Sequence, residues 1–167
     1  MMVPGPGGST IRRMPSWSEF EAAAPELAAR VRALLDAHAH KTLATLRRDG
    51  SPRISGTESK IKEGELWIGS MWNARKALDL RRDPRFALHS GSDDPPGWSG
   101  DAKLAGVAEE ITDPERVRAI NGAAVGPSHL FRLDLREVST VGLDDARKAL
   151  VIEAWTPERG VRTMKRA

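Results

Sequence analysis

Arg75 and Lys76 stand side by side in the stretch SMWNARKALDLRRDPR, residues 70–85, and their position there is chemically odd. Apolar residues recur at helical spacing after Asn73, and Asp83 precedes a proline that ends a helix, so a helix is predicted from near Asn73 to Asp83. Cations in the first turn of a helix face the positive end of its dipole. An anion at that spot would resolve the conflict. The predicted strand ending at Gly69 and Ser70 leads straight into the helix, so free backbone amides, one hydroxyl and two cations would converge on a phosphate socket. The plainer reading is a solvated helix end with two surface bases, which costs only about 0.3–1 kcal/mol for each.

Other candidate chemistries are weaker. The histidines His38, His40, His89 and His129 are scattered, and an i, i+2 pair such as His38 and His40 points to different sides of a helix, so no metal site is expected. Ser99 in GWSG does not complete the Gly-x-Ser-x-Gly elbow of a serine nucleophile. The early GPGGST has no strand before it, so it is not a phosphate loop. Asp49, Asp83, Asp101 and Asp113 sit beside turns or helix ends, where short carboxylates cap backbone groups. Trp98 differs from the other four tryptophans: it lies in the loop GSDDPPGWSG, where a contact with a flat ring or a partner subunit competes with burial. No catalytic acid or base stands out.

Composition narrows the class. The chain has 167 residues, 40% of them apolar, which fits one domain with one core. No apolar run nears the roughly 20 residues needed to cross a bilayer, and MMVPGPGGSTIRRMP lacks the apolar middle of a secretory signal, so a cytoplasmic protein is expected. With no cysteine there is no disulfide and no thiolate. The net charge of +3 suits an anionic ligand, but acids interrupt the basic clusters, as in RRDPR and EEITDPERVR. That pattern argues against a nucleic-acid patch.

The elements that must position these residues follow from periodicity. Residues 1–15 read as a flexible tail and residues 16–167 as a single domain. An amphipathic helix with Leu27, Val31, Leu34 and Leu35 follows a cap at Ser16 or Ser18, and Pro25 offers a fresh start within it. KTLATLR, RISGTESKI and LWIGS alternate with period two around the turns at Asp49-Gly50 and Glu63-Gly64. RFALHS and DAKLAGVAEEI read as strands, and Asp113 caps a short helix with Pro114 at its first position. HLFRLDLREVSTVGL, LVIEAW and a charged edge strand RGVRTMKR complete the chain. Six or seven antiparallel strands with two or three helices make a mainly β fold of α+β type, a small barrel with accessory helices.

KTLATLRRDGSPRISGTESKI, LWIGSMWNARKALDLRRDPRFAL and DAKLAGVAEE, taken in order over residues 40–140, resemble the split-barrel flavin-binding family related to pyridoxamine 5'-phosphate oxidase. The stretch ARKALDLRRDPRFAL is the most specific piece, and it is similar to the actinobacterial flavin and deazaflavin oxidoreductases. The resemblance implies a split β-barrel homodimer that binds FMN or the 8-hydroxy-5-deazaflavin coenzyme at its interface. It implies that Ser55, Gly56, Thr57, Glu58, Ser59 and Lys60 line the ring, with Lys60 also contacting substrate. Gly69 and Ser70 match further cofactor contacts, and Arg75 and Lys76 match the pair that binds the cofactor phosphate. Trp98 resembles a loop tryptophan near the ring, and Asp101 falls where the oxidase has a glutamine reaching the cofactor. Ser55 replaces an arginine, and the C-terminal LVIEAWTPERGVRTMKRA lacks the oxidase's substrate-phosphate segment, so pyridoxine phosphate is not the implied substrate. The implied activity is hydride transfer with a small unsaturated or quinone-like molecule, with a non-catalytic flavin or haem carrier as the alternative.

Overall fold

Alternating burial decides the architecture, which we describe from a computed structural model covering residues 13–123 and 126–167. In β1 (His40–Leu46) Lys41, Leu43 and Thr45 turn inward while His40 and Thr42 stay exposed. The turn after it uses Gly50 at φ +84°, where a side chain would be strained, and Asp49 accepts the Ser51 amide at 2.9 Å. β2 (Pro52–Lys62) then pairs back in register Leu43↔Ser55, and Glu63 and Gly64, both at positive φ, turn the chain into β3 (Glu65–Met71). After the helix α3 (Arg75–Arg82) come β4 (Arg85–His89) and β5 (Asp101–Glu110). The helix α4 (Pro114–Asn121) and the long β6 (Ser128–Leu143) follow, then β7 (Leu150–Thr156) and the charged edge strand β8 (Gly160–Arg166).

All pairings are antiparallel, and the sheet order is β3-β2-β1-β4-β5-β6-β7-β8. An additional β3–β6 pairing, Ser70↔His129 among its rungs, closes the first six strands into a barrel, and β7 and β8 extend β6 beyond it. The expected antiparallel barrel is therefore present with six strands, and among the described residues two further strands and four helices, where two or three were expected, accompany it. A bulge at Ala105/Gly106 bends β5 against β6; a side chain at Gly106 would place Cβ 1.9 Å from the Asp134 carbonyl, so only glycine fits there.

The N-terminal helix divides in two. Ala24 leaves the helical region at φ −145° because Pro25 follows it, giving α1 (Trp17–Ala23) and α2 (Pro25–Asp36). Ser16 and Glu19 close a capping box on α1. Trp17, Phe20, Leu27, Val31 and Leu35 join the barrel residues Leu43, Leu66, Ile68, Leu88, Leu104 and Leu133 in one buried core. Residues 1–12 of the expected tail lie outside the described residues, while Pro15 accepts the Leu135 amide at 2.7 Å. A smaller cluster of Trp67, Ile120 and Leu130 seats α4 on the outside of β3 and β6. Among the described residues no helix is long and apolar enough to cross a membrane.

Candidate functional site

The short link between β3 and α3 sets the site. Asn73 adopts the left-handed conformation at φ +58°, which asparagine tolerates better than most residues. Ala74 is the N-cap, so the helix starts two residues later than the sequence predicts. Alanine offers no oxygen to the first amides, and no acid lies in the first turn, whereas Arg81 and Arg82 sit in the last turn where the dipole favours them. The start of α3 is thus left electropositive, with two basic side chains beside it.

Those two side chains part company. Lys76 borders a groove of about 440 Å³ together with Glu58, Lys60, Gly69, Ser70 and Ala74. Its Nζ donates to the Gly56 carbonyl at 2.7 Å, and burial holds the ammonium below the ordinary lysine range. Arg75 instead faces a neighbouring cleft with Arg47, Arg48, Arg53 and Arg82. Consecutive helical residues differ in direction by about 100°, so the pair cannot share one depression unless the arginine reaches around the helix. Among the described residues neither cation has a carboxylate within salt-bridge distance. The cleft has its own buried acid: Asp79 accepts from Arg53 Nε at 2.6 Å, Thr45 Oγ1 at 2.9 Å and Arg82 at 3.3 Å. Burial pushes its carboxyl up, but these three donors outweigh that and hold it below the usual range.

On β2 the sequence-predicted residues divide by alternation. Thr57 is buried and Ser55 and Ser59 are half-buried, whereas Gly56, Glu58 and Lys60 are exposed on the outer face. Nothing lies within 4 Å of where a Gly56 side chain would begin, so this strand offers an open, flat surface. Lys60 Nζ donates to the Ile120 carbonyl at 2.8 Å and Lys62 Nζ to Ala119 at 2.9 Å, two cations on the orphan carbonyls at the C-terminus of α4. Gly69 lies under the Asn121 amide: a Cβ there would come 2.9 Å from Asn121 Oδ1. Trp98 and Asp101 do not border the groove. Asp101 begins β5 opposite Val141, and ten extended residues put it about 30 Å from Glu110 at the other end. Its Oδ1 is buried without a hydrogen-bond partner.

Sequence reasoning missed four residues beside the groove. His129, with its side chain fully buried, accepts the Asn73 amide on Nε2 at 3.1 Å, and its Nδ1 lies 2.6 Å from Glu110 Oε1. Glu110 also receives two hydrogen bonds from Arg81, at 2.6 and 2.9 Å. Burial raises the Glu110 carboxyl, yet Arg81 and His129 together hold it below the ordinary glutamate range. Trp72, itself half exposed, stacks on the His129 ring with centroids 4.6 Å apart and planes within 7°. Trp72, Arg81 and Glu110 border a second pocket of about 460 Å³ that shares Asn121 and Ser128 with the groove, and His129 lies buried behind Trp72. No local spacing marks them, since residues 72, 81, 110 and 129 meet only after the barrel closes.

Comparison with known proteins gives this geometry a family. The pyridoxamine 5'-phosphate oxidase family model matches residues 27–142. No curated protein matches the chain in sequence. Among solved structures, PhzG from Burkholderia lata 383, in complex with tetrahydrophenazine-1-carboxylic acid, is 14% identical with a TM-score of 0.60, over 86% of this chain and 92% of that one. A pyridoxamine 5'-phosphate oxidase-related, FMN-binding protein from Nostoc punctiforme is 14% identical with a TM-score of 0.59, over 86% and 94% of the two chains. HutZ, a heme storage protein from Vibrio cholerae, is 18% identical with a TM-score of 0.52, over 66% and 90%. These identities speak for a shared fold and for nothing finer. A family match over most of the chain, on a closed barrel of the same architecture, means that the protein belongs to the pyridoxamine 5'-phosphate oxidase family.

Proposed function

We propose that the protein is an oxidoreductase of this family that holds FMN or the 8-hydroxy-5-deazaflavin coenzyme in the groove beside α3. The observation that carries this reading is Lys76: a half-buried ammonium whose hydrogen-bond partner among the described residues is a backbone carbonyl, set beside an uncapped helix start. A cation that burial disfavours is retained at a cost, and an anionic phosphate would repay it through charge-assisted hydrogen bonds. The FMN-binding relative with the same barrel supports the cofactor class. The donor set fits the group: the Arg75 and Lys76 amides, the Ser70 hydroxyl and the Lys76 ammonium serve its phosphate, and the flat β2 face at Gly56 serves its ring.

Bound there, the tricyclic ring supplies the hydride chemistry. The chain's own residues bind and orient. Lys76 and the α3 amides would anchor the phosphate, and the backbone of Ser55, Gly56 and Thr57, with Glu58 and Ser59 beside it, would hold the ring. Lys60, although tied to Ile120, keeps two further N–H donors for an anionic substrate. Trp98 and Asp101 serve this site only from a second copy, so we further propose a homodimer with two sites at its interface. The outer face of the barrel supports that assembly, because Ala44, Ala87, Ala105 and the 75% exposed Ile54 form a shallow apolar depression there. Trp98 from the other subunit would then cover the ring and exclude water. The substrate class we propose is a small unsaturated or quinone-like molecule.

Titration of the purified protein with FMN and with reduced deazaflavin, followed in the visible spectrum, tests the cofactor; no spectral change with either would end this reading. The heme storage function of HutZ on the same fold favours one rival, a non-catalytic carrier. Saturable reduction of a quinone by protein supplied with the reduced cofactor separates the two, since a carrier binds without turnover.

A further inference from the structure

The hydrogen bonds around His129 fix its proton. A backbone amide can only donate, so the 3.1 Å contact from Asn73 N requires a lone pair on Nε2, and the single proton of the neutral ring must then lie on Nδ1, donated to Glu110 at 2.6 Å. Glu110 is itself gripped by Arg81, from the last turn of α3. A hydrogen-bond chain therefore leaves the C-terminal end of α3, passes through Glu110 and His129, and returns to the amide two residues before α3 begins. Trp72 closes the ring's exposed side by stacking, and Phe131 lies beyond its other side at 6.1 Å.

Building on the proposed anion groove, we infer that His129 is its positioning residue and also a proton-controlled latch. As a neutral Nδ1–H imidazole it holds Asn73 in the left-handed turn from which Lys76 and the first amides of α3 face the groove. Protonation at Nε2 converts the acceptor into a donor pointing at another donor, so the turn must release and the groove loses affinity for its anion. The charged groups facing the ring are Glu110 from β5 and, behind it, Arg81 from α3; α4 contributes the neutral Asn121 and, across the adjoining pocket, Arg118, while β3 contributes the neutral Ser70. Glu110 accepts at one ring nitrogen and the Asn73 amide donates to the other, so only the neutral Nδ1–H ring satisfies both.

FMN affinity measured from pH 5.5 to 8 tests this in the wild type, His129→Gln and His129→Leu. A glutamine oxygen can accept the Asn73 amide but does not titrate. His129→Gln is therefore expected to bind within about threefold of wild type at pH 8, and His129→Leu to lose about tenfold or more, the scale of a stranded buried donor. FMN's phosphate takes up a proton near pH 6 in every variant, so the informative quantity is the extra loss of affinity in acid that wild type shows and His129→Gln lacks. Parallel profiles for those two proteins, or undiminished binding by His129→Leu, would overturn the inference. Amide exchange at Asn73 gives a readout independent of any flavin. Its protection should fall on acidification in wild type and hold in His129→Gln. Protection that is insensitive to pH in wild type would sink the latch even if the groove binds no FMN, a result that would instead defeat the cofactor reading.

Discussion

At the residue scale, Lys76 and Asp79 sit three positions apart on α3 and have opposite fates. Lys76 is a half-buried cation with no carboxylate within salt-bridge distance among the described residues, and under the proposed role Lys76→Ala should weaken FMN binding by about 1.5–3 kcal/mol, the worth of one charge-assisted contact. Arg75→Ala should cost less than 1 kcal/mol or so, because that side chain faces the other cleft and acts mainly through its field. Paired fluorescence titrations decide between them, and equal losses would mean that Arg75 swings round to the groove. Asp79 is already satisfied. Asp79→Ala strands Arg53, Arg82 and the Thr45 hydroxyl, and should lower folding stability by about 2–3 kcal/mol in urea melts, the arginines' partial exposure moderating the figure for a broken buried pair. Because its folded pKa is depressed, its stabilisation is complete above the unfolded value of about 3.9 and is lost as pH falls through the lower folded value. Asp79→Asn should flatten acid unfolding over that window. Of these roles, the sequence exposed Lys76 through its odd position; Asp79 looked like an ordinary helical residue, because its partners at 45 and 53 come from neighbouring strands.

At the element scale, the start of α3 trades stability for an electropositive opening. Ala74 has φ −57° and ψ 139°, the extended conformation an N-cap normally adopts, so an aspartate would fit there without strain. Ala74→Asp would cap the free amides and complement the dipole, gaining about 1 kcal/mol, or 2–4 °C in Tm for a chain of this size. The same carboxylate would occupy the place proposed for the phosphate and repel it. Higher Tm with FMN affinity reduced at least about tenfold is the expected pair of results, in keeping with stability being forgone at sites of function. A stabilised variant that binds FMN normally would show that the anion sits elsewhere. The end of this helix was legible in the sequence, because proline at 84 acts locally on Asp83. Its beginning was not: Asn73 takes a left-handed turn whose amide donates to His129, 56 residues away, and the first helical residue is Arg75. The resulting phase sends the two cations to different clefts.

At the scale of the whole molecule, local alternation revealed the strands but not their closure. β3 and β6 are separated by more than 50 residues, and only their pairing turns a meander into a barrel and brings His129 to Asn73. The proposed assembly of two copies is a further long-range step, and it rests on what the barrel leaves uncovered. At the centre of the outer faces of β1, β4 and β5 the small residues Ala44, Ala87 and Ala105 stand opposite one another in register, flanked by His89 and Lys103, so a second sheet can approach closely there. Ile54 beside them is 75% exposed, an apolar side chain with no cover from its own chain. Ala87→Glu places a charge at the centre of that face without touching the core, since Ala87 points outward between the buried Phe86 and Leu88. Burying an unpaired carboxylate at an apolar contact is costly enough to separate the subunits. Light scattering should therefore show a dimer for wild type and a monomer for Ala87→Glu, with melting changed little. If Trp98 and Asp101 reach the groove from the other subunit, the monomer should also lose flavin affinity although Lys76, His129 and the whole groove of its own chain are intact. A monomeric variant that binds FMN as tightly as wild type would confine the site to one chain and leave Trp98 without a part in it.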